Sequence, residues 1–197
     1  MLNRLRISGV SVAADTAGFA NDVNTTAGLP FTLAATTIGD TLAHKAIITP
    51  SGSVTGNYAL TGTGPGGEAQ TETLATDTVN AVTSTKYWLI LTQVLAPAGI
   101  GANTVDIGWT AASVSPWLYI EKIARDWGPN GMGFVAVPDS GSPTFGGQDT
   151  LDGGVNACDH SVVASKTSAT TGTYTTPVQA IRMIWSAAGG ASFHGLV

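Results

Sequence analysis

Short apolar segments that alternate with polar residues, separated by turn-forming clusters, constrain the fold of this chain more than any other feature. In "NTVDIGWT", Val105, Ile107 and Trp109 fall on one side of an extended chain and the intervening residues on the other. Gly, Pro, Asn and Ser clusters follow such segments roughly every ten residues. The pattern predicts an all-β protein built of antiparallel β-sandwich modules, immunoglobulin-like or jelly-roll-like. The predicted strands are "KAIITP", "NYALTGT", "AQTETLA", "KYWLILTQV", "NTVDIGWT", "PWLYIE", "GFVAV", "HSVVAS", "VQAIRMIW" and "ASFHGLV".

The same patterns predict how the chain is divided. Residues 1–30 are rich in Gly, Asn, Thr and Ala and are predicted to form an extended arm that orders only on assembly. Residues 31–112 form a first β module and residues 113–197 a second, with the small, polar "TAASVSP" between them. Only "YIEKIARDW", residues 119–127, has apolar residues at helical spacing, which predicts at most one short helix.

Composition limits the classes of partner. Charged residues make up 11% of the chain, against about 25% in ordinary soluble domains. Hydrophobic residues make up 43%, which is enough for a buried core. The surface is therefore expected to be Thr-, Ser- and Gly-rich and to pack against other proteins. The net charge is −5 and the eight Lys and Arg residues are scattered, so no direct nucleic-acid partner is predicted.

Nothing in the hydropathy pattern predicts a membrane partner. The first 20 residues lack the apolar run of a signal peptide, so we expect a soluble protein that is not exported through a cleavable N-terminal signal. The most apolar run, residues 87–102, is interrupted by Gln93 and Pro97 and is shorter than the roughly 20 residues of a membrane span. The single cysteine, Cys158, excludes an internal disulfide.

The stretch "ALTGTGPGGEAQTETLA" contains Gly62-x-Gly64-x-x-Gly67, which matches the dinucleotide-binding fingerprint. That fingerprint requires a helix after the last glycine, but "EAQTETLA" alternates like a strand. Pro65 also removes an amide that a phosphate would use. We therefore predict a β-hairpin with its turn at residues 64–67, and no cofactor.

No catalytic site is predicted, so the chain is not expected to be an enzyme. Asp159, His160 and Ser161 are adjacent, and adjacent residues on a strand point to opposite faces, so they cannot form a triad with each other. A glycosidase would need two carboxylates that converge in space, and no motif in the sequence supports such a pair.

Two patterns suggest metal ligands, and both fall short of a site. Cys158 and His160 would share one strand face as half of a zinc site, with His44 and His194 as the further nitrogen ligands that the chain offers. The acidic stretch "GGQDTLDGG", residues 146–154, carries Asp149 and Asp152 but lacks the regular spacing of a calcium loop. A solvated turn is the preferred interpretation, and no metal site is predicted.

The five tryptophans divide into two groups. Trp88, Trp109 and Trp185 lie at inward positions of predicted strands and are expected in the core. Trp117 and Trp127 lie near the module boundary. If they are exposed, they favour binding of a sugar or a protein.

Several quoted stretches together resemble a known kind of module. "SVTGNYALTGTGPGGEAQTETLA", "VTSTKYWLILTQV" and "NTVDIGWT" are similar to a module common in structural proteins of tailed bacteriophages. "GFVAV" followed by "DHSVVASKTSATTGTYTTPVQAIRMIW" resembles a second module that follows it. The resemblance covers residues 30–197 and carries no catalytic motif.

The resemblance implies a virion component, made in the host cytoplasm and active once assembled. It favours a capsid decoration (cement) protein on the capsid surface, a homo-oligomer, most often a trimer, that ties major capsid protein subunits together. "NYALTGT" and "HSVVAS" are predicted to be uncharged edge strands available for such contacts. The alternatives are a tail or baseplate component and, in another class, a carbohydrate-binding host-attachment module.

Overall fold

A computed structural model of the chain describes residues 4–120, 132–152, 156–160, 162–174 and 178–196. The described residues form antiparallel β-sheets and no helix, consistent with the predicted β-sandwich class. Accordingly, no helix in this part of the chain is long and apolar enough to cross a membrane. The strands are β1 (Arg4–Ser11), β2 (Asp15–Val23), β3 (Ala43–Pro50), β4 (Asn57–Thr63), β5 (Ala69–Ala75), β6 (Val82–Trp88), β7 (Ile90–Leu95), β8 (Val105–Val114), β9 (Leu118–Tyr119), β10 (Met132–Gly141), β11 (Phe145–Thr150), β12 (Cys158–Asp159), β13 (Thr170–Tyr174), β14 (Ala180–Trp185) and β15 (Gly189–Leu196).

The chain divides into two units, which we name by their place in the sequence. The central unit comprises residues 14–113, and the terminal unit comprises residues 1–13 and 114–197. In the central unit, β2, β8, β3 and β6 are neighbours in that order, and β5, β4 and β7 form a second sheet. In the terminal unit, one sheet has the order β1-β15-β10-β13, and β12, β11 and β14 pair in that order with β9 also on β14.

Alternating burial along the strands builds the core of the central unit. Tyr58 and Leu60 on β4 and Val105 and Ile107 on β8 are buried, while the residues between them are more exposed, as the sequence predicts. Their side chains belong to one cluster of buried residues. The cluster is Phe19, Ala20, Phe31, Ala46, Ile48, Val54, Tyr58, Leu60, Leu74, Trp88, Leu91, Val94, Ala96, Ile100, Val105 and Ile107.

One predicted strand is in fact two. "KYWLILTQV" was expected to run without a break, but β6 ends at Trp88 and β7 begins at Ile90, and each belongs to a different sheet. Leu89 lies at the change, where its N–H donates to the carbonyl of Thr63 at 2.9 Å. Trp88 and Leu91 are both buried on either side of the break. A strand that changes sheets in this way forms a corner of a sandwich, and period-2 patterning cannot reveal it.

Aromatic packing fills the core of the terminal unit. Phe134 on β10 stacks on Phe193 of β15 with ring centroids 5.0 Å apart, and Tyr174 of β13 lies 5.3 Å from Phe134. Gly172 on β13 leaves room for this arrangement, because a Cβ there would lie 2.5 Å from Phe134 Cζ. Trp185 on β14 is also fully buried.

The predicted N-terminal arm needs correction. In its described part, residues 4–30, β1 pairs along its whole length with β15 and β2 pairs with β8, so this part is ordered within the chain itself. The physical reason lies in a few large residues: Leu5, Ile7 and Phe19 are each less than 9% exposed. Residues 28–31 then cover the outer side of β7, where Gly28 N–H donates to Ala96 O at 3.0 Å.

Other strand predictions differ locally from the structure. "HSVVAS" is not a strand: the described residues after His160 form turns, and Ser165 has a φ of 50°. "NYALTGT" is β4, which has β5 and β7 on its two sides and is therefore no edge. Half of the predicted acidic turn at residues 146–154 is instead β11. The short helix predicted at residues 119–127 lies, beyond Ile120, outside the described residues.

A buried hydrogen bond between a histidine and an aspartate anchors the loop before β3. His44 and Asp40 are 1% and 6% exposed, and His44 Nε2 lies 2.7 Å from Asp40 Oδ2. His44 Nδ1 lies 2.9 Å from the carbonyl oxygen of Thr110. Both ring nitrogens of His44 therefore have a hydrogen-bonding partner in the folded chain. Asp40 Oδ1 also accepts from Leu42 N–H, which fixes the turn.

We expect Asp40→Ala to reduce the free energy of unfolding by about 2 kcal/mol, because it leaves the buried Nε2 atom of His44 without its hydrogen-bond partner. Urea unfolding of the full chain, followed by tryptophan fluorescence, measures the change. Asp77→Ala is the matched control, since Asp77 is exposed and its substitution should cost less than about 0.5 kcal/mol. Equal losses in the two variants would contradict a stabilising role for the pair.

Candidate functional site

The glycine-rich stretch forms a hairpin turn, as predicted. Thr63 pairs with Ala69 across the turn, and β4 and β5 continue as an antiparallel pair. Gly67 N–H donates to Gly64 O at 3.0 Å, and Gly64 N–H donates to Glu68 O at 2.8 Å. Gly67 has a φ of 83°, a conformation that glycine adopts without steric cost.

The amides of this turn are already occupied by the chain itself. Glu68 Oε2 accepts from Gly66 N–H at 2.8 Å, so a carboxylate lies where a phosphate would have to bind. Together with the two bonds that close the turn, this uses the N–H groups of Gly64, Gly66 and Gly67. A phosphate would therefore meet occupied donors and a negative charge, the opposite of the amide cradle that dinucleotide-binding loops provide.

The two acidic residues of "GGQDTLDGG" do not converge on a common point. Asp149 lies on β11 and is half-buried, and burial raises the pKa of its carboxyl above the ordinary value of 3.8. Asp152 lies after the strand, where its carboxylate accepts from Asn156 N–H and Nδ2 and from Thr150 Oγ1. These hydrogen bonds, led by that from the Asn156 backbone, lower the pKa of Asp152 to about 2. Residues 146–150 therefore belong to a strand, and the Asp152 carboxylate that follows is held by Thr150 and Asn156.

Asp159, the last residue of β12, and His160, which follows the strand, have different partners. The Asp159 carboxylate accepts from Gln148 Nε2 at 2.7 Å, whereas the His160 ring packs edge-on against Tyr174 at 4.4 Å and Phe134 at 5.3 Å. Ser161 lies outside the described residues. Burial lowers the pKa of His160 below its ordinary 6.5, and the nearby Asp149 charge opposes this effect.

The candidate zinc ligands are not brought together. Cys158 is exposed, while the ring of His160 is turned into the aromatic core. His44 belongs to the central unit and uses both ring nitrogens, and His194 binds Ser192. Across the described ranges, no group of three His, Cys, Asp or Glu side chains has an arrangement that could hold a metal ion.

A Ser, His, Asp cluster that the sequence analysis missed occurs in the terminal unit. Ser192 Oγ lies 3.0 Å from both Asp139 Oδ1 and His194 Nε2. A serine nucleophile would need a histidine between it and the carboxylate. Here the serine lies in the middle, and its hydroxyl donates a hydrogen bond to Asp139. Ser192 is also only 1% exposed, so the cluster orients His194 rather than attacks a substrate. The sequence signal for this cluster was the i, i+2 spacing of Ser192 and His194, which places both side chains on one face of a strand.

The tryptophans largely occupy the predicted environments. Trp88 and Trp185 are 1% exposed, and Trp109 is half-buried against Phe19, with ring centroids 5.1 Å apart. Trp117 is half-exposed, and the Arg182 guanidinium lies 4.4 Å from its ring centroid. Trp127 lies outside the described residues.

The edges of the sheets are the remaining candidates for assembly contacts. Among the described residues of the terminal unit, β13 is the outer strand next to β10. Its sequence, "TTGTY", has no charge and no proline, and Thr171 and Thr173 are exposed. Charged residues or proline usually guard such an edge, so β13 is open to pairing with another strand.

Comparisons of the chain with protein-family models, with curated proteins and with solved structures return no match.

The buried position of His160 predicts a pH dependence of stability. Its pKa is lower in the folded chain than the 6.5 of an unfolded histidine, so on acidification the unfolded state takes up the proton first. We therefore expect stability to fall as the pH drops below about 6.5, and His160→Gln to lose less stability between about pH 8 and pH 5.5. Asp149, whose pKa is raised, acts in the opposite sense and at lower pH.

Urea midpoints of the full chain and of His160→Gln at the two pH values measure this difference. The other histidines are common to both chains and cancel in the comparison. Identical pH dependence in the two chains would contradict the assignment.

Proposed function

We propose that this chain is a structural protein of a bacteriophage virion, a capsid decoration protein that acts as a homotrimer and ties neighbouring major capsid protein subunits together. The resemblance of residues 30–197 to phage structural modules is one support. A second is the sparse charge of a chain with eight basic and 13 acidic residues. Such a surface repels copies of itself weakly and tolerates close packing in a shell.

The uncharged outer strand β13 is the observation that carries this proposal. On the side away from β10, no described strand pairs with β13, and its backbone N–H and C=O groups lie between exposed threonines, which is the arrangement that strand addition by a partner uses. The opposite edge of the sheet, β1, has two arginines in its sequence and is better guarded. We therefore assign the contact with a neighbouring major capsid protein subunit to β13.

We expect the full chain to be a trimer by analytical ultracentrifugation and to bind capsids that lack it, with little difference between low and high salt, because few charges are screened. Thr173→Lys should weaken capsid binding about tenfold or more, because it places a charge on the pairing edge. Thr61→Lys is the matched control: it changes an exposed threonine on β4, a strand with partners on both sides, and should bind normally.

Each contrary result identifies a different error. A monomer that never binds capsids contradicts the decoration role, and binding to purified tails instead supports the tail or baseplate alternative. Loss of binding at moderate salt contradicts the low-charge mechanism. Normal binding by Thr173→Lys contradicts the assignment of β13 as the contact strand.

One observation favours carbohydrate binding as a second candidate function. In the terminal unit, Gln148 pairs with Arg182 on one neighbouring strand and with Asp159 on the other, and the Arg182 guanidinium lies over the ring of Trp117. Arg182 Nε donates to Gln148 Oε1 at 2.8 Å, and Gln148 Nε2 donates to Asp159 Oδ1 at 2.7 Å. Planar polar groups beside an indole suit a saccharide, whose hydroxyls need donors and acceptors and whose ring faces are apolar.

This candidate predicts that a neutral polysaccharide slows the full chain in affinity electrophoresis and that Trp117→Ala removes the effect. Tyr87→Ala, which truncates a half-buried aromatic side chain in the central unit, should behave like the unmodified chain. If no polysaccharide in a panel of dextran, mannan, xylan and laminarin slows the unmodified chain, this second function is wrong.

A further inference from the structure

One cavity of the terminal unit has no part in either function proposed above. Its volume is about 680 Å³, within the roughly 300–1,000 Å³ of small-molecule sites. Its described lining comes from β1, β10 and β15, three adjacent strands of one sheet. A site on paired strands is held by backbone hydrogen bonds and is largely formed before any ligand arrives.

The strand register places the lining side chains on the outer face of this sheet. Arg6 pairs with His194, and His194 pairs with Val135, so the three side chains lie in one row. The next residue of β1, Ile7, and the next residue of β10, Ala136, are buried on the opposite face. The side chains of Arg6, Val135 and His194 therefore project from the outer face, and Gly133 lies on the same face without a side chain.

The missing side chain of Gly133 opens this cavity. Gly133 lies two residues before Val135 on β10 and so shares its face. A Cβ placed on Gly133 would have no atom within 4 Å, and the φ of Gly133 lies outside the left-handed region. Neither local crowding nor backbone conformation requires a glycine here.

The polar groups of the cavity are a cation and an oriented imidazole. Arg6 is exposed, and no carboxylate of the described residues lies within ion-pair distance of its guanidinium. His194 Nε2 is held by Ser192 Oγ, which is itself held by Asp139. The rest of the described lining is aliphatic, aromatic or glycine.

We propose that this cavity binds an apolar monocarboxylate. A guanidinium binds a carboxylate through two parallel hydrogen bonds, and Arg6 has no such partner among the described residues. The apolar body of the ligand lies over Gly133 and Val135, in the space that a side chain at position 133 would fill. The one guanidinium in the described lining, on an apolar wall, matches one negative charge and an aliphatic or aromatic body better than a polyphosphate.

Calorimetric titration of the full chain with decanoate, below its micelle concentration, tests the proposal. We expect saturable binding of one decanoate per chain and much weaker binding of decanol, which has the same alkyl chain without the charge. Gly133→Leu should abolish binding by filling the cavity, and Arg6→Gln should weaken it about tenfold. Lys166→Gln removes one positive charge outside the cavity and should bind like the unmodified chain.

Thermal unfolding of each variant checks that it remains folded, and Arg6→Gln alters an exposed side chain and should keep its native stability. The absence of saturable decanoate binding to the unmodified chain would overturn the proposal. Equal affinity for decanoate and decanol would overturn the role of the carboxylate. Unchanged affinity in folded Arg6→Gln and Gly133→Leu would place any binding elsewhere.

Discussion

The backbone ladder between β1 and β15 is the interaction on which the terminal unit depends. It pairs Arg4 with Leu196 at one end and Ser11 with Gly189 at the other, without a break in register. The ladder directs Leu5 and Ile7 into the core and places Arg6 beside His194 on the other face. In a chain with so little charge, hydrogen bonds between strands and the alternation of side chains specify the arrangement, and ion pairs contribute in few places.

Much of the fold could be predicted because its signals are local. The turn at residues 64–67 follows from its glycines and from the alternation on both sides, and this hairpin is confirmed. Period-2 patterning was enough to predict that β3, β8 and β14 are strands. The absence of a nucleotide-type loop follows from the same local reasoning, since a strand rather than a helix comes after Gly67. A feature that depends on two or three neighbouring residues can be predicted without knowing which distant strands will pack against it.

The features that could not be predicted depend on distant partners. "RLRISGVS" alternates, but a composition poor in large residues suggested an arm, and only the pairing of all eight residues with β15 explains why this segment is a strand. The break at Leu89 depends on the positions of two sheets. The partner of His44 could be sought four residues earlier at Asp40, yet its second acceptor, Thr110 O, is remote in sequence. The role of Ser192 between Asp139 and His194 likewise requires the register of β10 and β15.

The order in which strands emerge during translation gives the β1–β15 pairing a kinetic consequence. Residues near position 4 are synthesised early but pair with residues near position 196, which are synthesised much later. The central unit, residues 14–113, is completed in between. Contacts of such long sequence separation close late and slow the folding of β proteins. On the ribosome, therefore, the central unit has all its strands long before the terminal unit has its last one. During that interval β1 is unpaired, so a chaperone or a second nascent copy can bind it before β15 has been synthesised.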